Sequence, residues 1–432
     1  MESADIGLLI TGLLFILLLF GMRIAFATAF CGILGLWVLR GYKPAAAFAG
    51  FIPHAETSHY TLLVLPLFIL MGFLAHHAGI TRNIYNTART WFGHLPGGLA
   101  IATIFGAAGF AAACGASTAA TAVTGRIALP EMKKYHYDDR VAAGCVAAGG
   151  TMATMIPPSV LMVLYAFIAE QSVGALLLAG FLPGLLEAST YSLMLYTRFR
   201  INPALGEIIP ARPWGERFAS LRGTWGMLTL VFVVMGSIYS GIATPTEAAA
   251  LGALGALLLA LPVMSRKNFY DACLETGRTT AMIFAIVVGV LIFVRFLAFS
   301  GLPGDIAEWV VHLDVNRYVV LIAILCMYLV LGMFLDAIGM LLLTIPIVLP
   351  AVEALEFSPI VFGVLVVRMI EVGLITPPIG LNVFVLNGVA PNVSIQDIFR
   401  GCAWFVLVDL INVAILLTFP QIILLIPQTM IQ

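Results

Sequence analysis

The sequence predicts an all-α, polytopic membrane protein made of two related halves, and its composition is the first reason. Hydrophobic residues make up 61% of the 432 residues and charged residues only 10%, against roughly 45–50% and about 25% in soluble domains. Apolar stretches of about 16–25 residues recur from residue 6 to residue 426, long enough to cross a hydrocarbon core of about 30 Å. The six cysteines are scattered singly without a CxxC pair, so we predict neither a disulfide framework nor a metal-thiolate site.

An internal repeat at an offset of 220 residues is the second reason. This offset superposes Pro157-Pro158 on Pro377-Pro378, and Leu129-Pro130 on Leu349-Pro350. Proline removes a backbone donor and clashes with the preceding turn, so each Pro-Pro pair should break a helix within the membrane. Broken helices at corresponding positions of two halves are typical of a transport site.

Each half is predicted to contain about five crossings and one re-entrant hairpin. The first half covers residues 1–197, with crossings at 7–21, 24–39, 60–78 and 175–196, a hairpin at 98–130 and a broken helix at 141–169. Residues 198–223 contain three prolines and five arginines and are predicted to be a linker. The second half covers residues 224–432, with a hairpin at 318–350 and a broken helix at 359–390. Because five crossings end on the opposite side from where they began, the two halves should form an inverted repeat.

The distribution of Lys and Arg predicts the orientation. Sixteen of these residues fall on the side of the linker and three on the other side, so the linker is predicted to be cytoplasmic and both termini periplasmic. The first hairpin then opens to the cytoplasm and the second to the outside, which an alternating-access transporter needs. Residues 80–97 show helical amphipathicity and are predicted to lie along the membrane surface, either as a passive connector or as an arm that braces a moving domain.

Several ordered motifs resemble one transporter family. They run from Gly115-Ala-Ser-Thr-Ala-Ala-Thr-Ala and Ile156-Pro-Pro-Ser159 through Ala179-Gly-Phe-Leu-Pro-Gly184 and Thr244-Pro-Thr-Glu-Ala-Ala249 to Thr376-Pro-Pro-Ile-Gly-Leu-Asn-Val-Phe384. In this order they are similar to the large membrane subunit of tripartite ATP-independent periplasmic (TRAP) transporters, over nearly the whole chain.

The resemblance implies a sodium-driven importer of an organic anion in the bacterial inner membrane, working by an elevator motion. It implies two protein partners: a small four-helix membrane subunit, expected as a separate chain, and a periplasmic substrate-binding protein. We expect that protein to dock on the mixed-charge periplasmic loops at 40–59 and 301–317. Sodium ions, the lipid bilayer and the organic anion are the other expected partners; nucleic acid is not one.

The residue types at the two hairpin tips and the two breaks suit sodium. A sodium ion takes about five or six oxygen ligands, which hydroxyls and carbonyls at an interrupted helix can supply. The candidate ligands are Ser117, Thr118, Thr151, Thr154 and Pro157 in the first half, and Asp336, Gly339, Thr376 and Pro377 in the second half. The alternative is that these small residues simply pack helices closely. Asp336 is the sharpest candidate, because a lone carboxylate at membrane depth is costly unless it is paired or binds a cation.

Candidate substrate contacts are Thr121, Ser159 and Asn382, which lie within the family-like motifs, and two arginines inside predicted crossings, Arg295 and Arg368. Arg368 could bind a substrate carboxylate, or it could be neutralised by Glu371 three residues on, the spacing of one helix face. Arg295 has no acidic residue nearby in sequence and is predicted to lie away from a helix end. Its role, in substrate binding or in structure, stays open.

Other classes of protein are less compatible with the sequence. The sequence lacks the phosphate-binding loop that an ATP-driven pump needs. It also contains neither H-E-x-x-H nor G-x-S-x-G, the motifs that would support an enzyme. A passive channel remains an alternative, because inverted repeats and half-helices also build pores. A stand-alone sodium-coupled carboxylate carrier is the closer alternative. The substrate, the number of sodium ions and the oligomeric state are not predicted.

Overall fold

A computed structural model describes residues 3–313 and 315–430, without the side chains of residues 112–114. The described residues form helices and no strand, which confirms the all-α fold class. The chain termini and the Cys114 side chain at the predicted hairpin tip lie outside this part.

The helices of the first half and the linker are α1 (Ser3–Leu19), α2 (Ile24–Arg40), α3 (Tyr42–Thr57), α4 (Val64–His77), α5 (Ile80–Phe92), α6 (Gly98–Cys114), α7 (Ser117–Lys134), α8 (Asp139–Thr151), α9 (Val160–Ile168), α10 (Val173–Ala179), α11 (Phe181–Ile201) and α12 (Trp214–Ser220). Those of the second half are α13 (Trp225–Tyr239), α14 (Pro245–Ala260), α15 (Arg266–Ser300), α16 (Leu302–Val311), α17 (Arg317–Gly332), α18 (Ala337–Ala354), α19 (Pro359–Gly373), α20 (Leu381–Val389), α21 (Ile395–Thr418) and α22 (Gln421–Thr429). Short 3-10 turns occur at Tyr60–Leu63, Met152–Thr154, Pro203–Leu205 and Leu221–Gly223.

The 220-residue offset reappears in the helix boundaries. Helices α7 and α18 have the same bounds after the shift, α8 and α19 begin at equivalent residues, and α9 and α20 begin within one residue of each other. Helix α15 departs from the repeat: it is continuous for 35 residues, where the first half has α3, a 3-10 turn and α4. Helix α15 contains no proline, whereas Pro53 lies in α3 and Pro66 in α4, and proline disfavours an uninterrupted helix.

The predicted hairpins and breaks are present in both halves. Helices α6 and α7 form the first hairpin and α17 and α18 the second, and each pair is joined by a short tip. The first break separates α8 from α9, and the second separates α19 from α20; each contains its Pro-Pro pair. Both half-helices after the breaks have nine residues. This architecture places two tips and two breaks where helical hydrogen bonding is incomplete.

The amphipathic segment forms helix α5, which packs against other parts of the protein. It packs on α6 of the first hairpin and against the linker helix α12. The Trp91 indole Nε1 donates to the Arg217 carbonyl at 3.1 Å, and the Thr87 hydroxyl donates to the Ser220 carbonyl at 2.8 Å. The arm therefore connects the first hairpin to the linker between the halves.

The second half has an equivalent arm, α16, which packs on α18 of the second hairpin. The expectation that residues 40–59 and 301–317 form loops was wrong, because they contain α3 and α16. The apolar residues of each segment recur at helical spacing, and Pro303 in the first turn of α16 is compatible with a helix start.

The two halves pack closely against each other. Helix α2 contacts α15, α4 contacts α14, and α8 contacts α21. At the crossing of α8 and α21, a Cβ atom added to Gly144 would lie 2.4 Å from the Gly401 carbonyl carbon. Only glycine at this position allows the two backbones to come so close.

The surface has the character expected for contact with lipid. Five helical segments in the described part are long and apolar enough to cross a membrane, or six when one bent pair is counted. Several shorter apolar helices accompany them. Many large apolar side chains are exposed, including Phe20 at 87% and Phe232 at 77%. Exposure of so much apolar surface to water would be unfavourable.

Candidate functional site

A cavity of about 210 Å³ lies between the two hairpin tips. The first tip contributes Gly115 to Ala119, and the second contributes Asp336 to Ile338. Both breaks reach it, through Thr154, Val160 and Leu161 in the first half and Leu374 and Leu381 in the second half. Helices α4 and α15 complete the wall with Ile69, Phe73, Thr279, Met282 and Ile283. The structure thus brings together four of the predicted sodium ligands: Ser117, Thr118, Thr154 and Asp336.

The first tip is a tight turn that rests on the first break. Gly115 has φ of +62°, a conformation that favours glycine. A Cβ atom there would lie 3.0 Å from the Pro158 carbonyl oxygen and 3.2 Å from the Val160 nitrogen. Helix α7 then begins at Ser117, with its N-terminus at the cavity.

The second tip is organised by Asp336. Its Oδ2 accepts a hydrogen bond from the Gly339 nitrogen at 3.0 Å, which caps the start of α18. Gly339 is buried in that first turn, where a Cβ atom would collide with Ile24. In this structure Gly339 supplies a donor for Asp336 and close packing against α2.

The residues of the first break are buried, except Ile156, which is partly exposed. The Thr151 hydroxyl donates to the Ala148 carbonyl at 2.7 Å, and the Thr154 hydroxyl donates to the Thr151 carbonyl at 3.1 Å. The Ser159 hydroxyl caps α9 by accepting from the Met162 nitrogen at 3.3 Å. Pro157 is buried beside them.

The second break is partly open. The Thr376 hydroxyl donates to the Val372 carbonyl at 2.7 Å, while Pro377 and its two successors are exposed. Asp336 also lines a second cavity, of about 460 Å³, that extends to Arg23 in the turn between α1 and α2. The two breaks therefore differ in accessibility although their sequences repeat.

Arg368 does not pair with Glu371, and that part of the sequence interpretation was wrong. The guanidinium is fully buried, and its Nη1 lies 2.8 Å from Glu187 Oε1 on α11. Its Nη2 contacts Asp409 Oδ1 on α21 and donates to the Tyr191 hydroxyl at 2.9 Å. The Tyr191 hydroxyl in turn donates to Asp409 Oδ1 at 2.6 Å.

This cluster joins α19, α11 and α21 and lies outside the wall of the cavity. Sequence reasoning missed Glu187, Tyr191 and Asp409, which are distant from Arg368 along the chain. The available signal was that Glu187, Glu371 and Asp409 are acidic residues within apolar stretches of the sequence, where each needs a compensating partner.

Arg295 also has an acidic partner that the sequence did not reveal. It lies in the last two turns of α15, is half exposed, and has its Nη2 3.6 Å from Glu56 Oε1 on α3. The expectation that it lies away from a helix end was wrong. It lines a separate cavity of about 530 Å³ together with His59, Glu170 and Gln171.

Three buried polar side chains near the tips have no hydrogen-bond partner in the structure: Thr121, Glu371 and Asn382. Thr121 faces α8, where a Cβ atom on Gly150 would lie 1.9 Å from its Oγ1. Glu371 is in the last turn of α19, just before the second break. Such groups are rare in protein interiors and mark positions where a ligand can complete the hydrogen bonding.

The fold and the paired tips define a helical membrane protein with a cavity lined by both of its halves, and comparison with known proteins gives the family. Residues 11–422 match the family model described as the tripartite ATP-independent periplasmic transporter, DctM component. The chain belongs to this family.

Curated relatives agree along almost the whole length. The chain is 35% identical over 404 residues to the C4-dicarboxylate TRAP transporter large permease protein DctM of Pseudomonas aeruginosa. The aligned region covers 92% of this chain and 93% of that protein. It is 33% identical to the sialic acid large permease protein SiaM of Vibrio cholerae (86% and 87% covered). It is 30% identical to the ectoine large permease protein TeaC of Halomonas elongata (98% and 97% covered).

Among solved structures, the fold resembles the YdaH transporter of Alcanivorax borkumensis. The TM-score is 0.58 at 15% identity, with 88% of each chain covered. MtrF of Neisseria gonorrhoeae gives a TM-score of 0.55 at 13% identity, with 88% and 85% covered. Both similarities concern the fold.

Proposed function

We propose that this chain is the large subunit of a binding-protein-dependent importer that moves an organic anion into the cell with sodium. The observation that carries the proposal is that both tips and both breaks line the same cavity. Relatives whose names specify C4-dicarboxylate, sialic acid, ectoine and 2,3-diketo-L-gulonate support an organic acid or a related small polar solute as substrate.

The chemistry of the cavity wall favours a bound cation. Its polar contributors are hydroxyls, exposed backbone at the tips and the Asp336 carboxylate, and no basic side chain of the described residues lines it. Arg368 is paired with the carboxylates of Glu187 and Asp409, so it does not supply an unpaired positive charge to the cavity. A substrate anion would be stabilised by sodium ions and by the N-termini of α7 and α18.

The accessibility of the site supports an elevator-type cycle. Asp336 also lines the cavity that contains Arg23, which the charge distribution predicts to be cytoplasmic, while the residues of the first break, except Ile156, are buried. We assign this arrangement to an inward-facing state. In the outward-facing state the hairpin-bearing part would move so that the site opens to the periplasm. The arms α5 and α16, each packed on a hairpin, would transmit or limit that motion.

The partners follow from the family. We propose that a small membrane subunit packs on the exposed apolar helices and that a periplasmic binding protein delivers the substrate. Some relatives carry additional sequence: the chain spans 55% of the isethionate TRAP transporter permease protein DctMQ of Oleidesulfovibrio alaskensis. In the proposed orientation the linker is cytoplasmic and both termini are periplasmic.

Reconstitution tests the proposal. The chain and its small subunit are placed in proteoliposomes, and uptake of radiolabelled C4-dicarboxylate, sialic acid or ectoine is measured with the cognate binding protein outside. An inward sodium gradient should drive accumulation, and an equal potassium gradient should not. Sodium-independent, non-saturable flux would indicate a channel, and sodium-driven uptake without the binding protein would indicate a stand-alone carrier.

A further inference from the structure

A polar cavity of about 200 Å³ lies between the arm α5 and the linker, away from the central cavity. It is on the side of the protein that the charge distribution predicts to be cytoplasmic. The polar side chains in its wall are Asn86, Arg89, Thr90, His94, Arg212 and Glu216. The Nδ1 atom of His94 is buried and has no hydrogen-bond partner in the part of the chain that the structure describes.

The two arginines of this cavity have donors left for a further acceptor. Arg89 Nη1 lies 3.2 Å from Glu131 Oε2, and Arg212 Nη1 lies 3.2 Å from Glu216 Oε2. A guanidinium carries five N–H donors in a planar fork, and each of these contacts uses only part of it. An oxyanion such as a phosphate can therefore bind both arginines without displacing their carboxylate partners.

The segments around the cavity carry an excess of positive charge. Residues 80–94 and 209–223 together contain five arginines and one acidic residue, Glu216, which gives a net charge of +4. The acidic partner of Arg89 lies outside both segments and lowers this excess by one. Anionic lipid headgroups on the cytoplasmic side of a membrane attract basic clusters of this kind.

An apolar groove of about 410 Å³ lies along the other face of the same arm. Trp91 of α5, Phe105 of α6 and Leu228 of α13 are part of its wall. The hydroxyls of Thr87 and Thr224, which also line it, donate to backbone carbonyls of the protein. Because these polar groups are already paired, the groove suits hydrocarbon chains better than a polar ligand.

Aromatic side chains place this region at the level of the lipid headgroups. The rings of Trp214 and Phe218 on α12 pack edge-on against Trp91, with centroids 6.4 and 5.7 Å away. Trp214 is 64% exposed and Phe218 is 59% exposed. Tryptophan in such a position is typical of the boundary between hydrocarbon and water, where a lipid meets both a polar and an apolar surface.

We propose that an anionic phospholipid of the cytoplasmic leaflet binds to the arm α5 and the linker. Its phosphate occupies the polar cavity with Arg89 and Arg212, and its acyl chains lie in the apolar groove. This inference uses the predicted orientation but does not depend on sodium coupling or on the substrate. The lipid would contact the arm, the linker and, through Phe105, the first hairpin, and so would hold the arm at the membrane surface.

Lipid-dependent stabilisation tests this inference. The melting temperature of the purified chain with its small subunit is measured in an uncharged detergent while dioleoyl phosphatidylglycerol is added. Dioleoyl phosphatidylcholine, with the same chains and no net charge, is added in a parallel series. A ligand that binds only the folded state raises stability, so phosphatidylglycerol should stabilise the wild type at a concentration about tenfold lower than phosphatidylcholine does.

Variants of the two arginines locate the effect. Arg89→Gln and Arg212→Gln should each raise the half-saturating concentration of phosphatidylglycerol by about tenfold, the scale of losing one charge-assisted contact. Arg212→Lys keeps the charge without the planar fork and should give a smaller rise. Arg212 is 57% exposed, so its variants serve if Arg89→Gln does not fold. Arg200→Gln, at an exposed position near the end of α11 and outside the cavity wall, is the matched control and should respond as the wild type does.

Three results would overturn the inference. Equal stabilisation by the two lipids would show that the negative headgroup is not recognised. Unchanged phosphatidylglycerol affinity in both glutamine variants would place any lipid site elsewhere. Stabilisation by inorganic phosphate or glycerol 3-phosphate at the same concentrations as the lipid would show that the polar cavity binds a soluble anion and that the groove contributes nothing.

Discussion

Ser117 and Asp336, from opposite halves of the chain, line the same cavity. Ser117 begins α7 and Asp336 caps α18, so each lies at a helix N-terminus that follows a hairpin tip. Because both residues line this cavity, we treat the two hairpin tips as parts of one candidate site.

Removal of either side chain should weaken sodium coupling. We expect Ser117→Ala and Asp336→Asn to raise the sodium concentration for half-maximal uptake, by about tenfold or more for the lost carboxylate charge. The measurement is initial uptake rate against sodium in proteoliposomes. Thr197→Ala, an exposed hydroxyl at the end of α11, is the control. Parent-like sodium dependence in both tip variants would show that the tips only pack helices.

We expect substitution of Arg368 to lower the stability of the protein. Arg368→Met leaves Glu187 and Asp409 without their cation, and breaking a buried ion pair in this way costs about 3–5 kcal/mol. We expect a large fall in the melting temperature in detergent. The combined variant Arg368→Met, Glu187→Gln, Asp409→Asn should recover much of it, because the two carboxylates that Arg368 contacts are then neutral as well.

A different pattern would restore Arg368 as a substrate clamp. In that case Arg368→Met would melt as the wild type does, and only the apparent substrate affinity would fall.

The contact between α8 and α21 should tolerate no side chain. Gly144→Val would force apart backbones whose separation leaves no room for a Cβ atom, and overpacking of this kind costs about 1–3 kcal/mol or more. We expect reduced yield and a lower melting temperature. Gly236→Val, where the added group meets no neighbour, is the control. Equal melting temperatures for the two variants would contradict the close packing of the halves.

The orientation can be tested with single cysteines in a variant that lacks the six native ones. A membrane-impermeant maleimide should label a cysteine at Gln428 in intact cells and should label one at Leu205 only after the membrane is opened. The reason is the excess of Lys and Arg on the side of the linker. Labelling of residue 205 from outside would contradict the inverted arrangement.

Local signals in the sequence predicted local structure well. The Pro-Pro pairs predicted both breaks, and the small and hydroxyl residues around Ser117 predicted the first tip. These features depend on backbone hydrogen bonding within a few residues, which the sequence specifies directly.

The sequence could not show which distant side chains meet. The partners of Arg368 lie on α11 and α21. The i, i+3 spacing of Arg368 and Glu371 allowed a pair, but packing directed the guanidinium towards α11 and α21. Arg295 likewise found Glu56 only through the packing of α3 on α15.

Labelling of a cysteine placed at Thr118, which lines the cavity, would show whether this site alternates between the two sides of the membrane. Without substrate, the residue should react with an impermeant maleimide in inside-out vesicles and remain unlabelled in right-side-out vesicles. Sodium together with the substrate-loaded binding protein should increase labelling from the periplasmic side and decrease it from the cytoplasmic side. Equal labelling from both sides at once, whatever the sodium concentration, would contradict alternating access and indicate a channel.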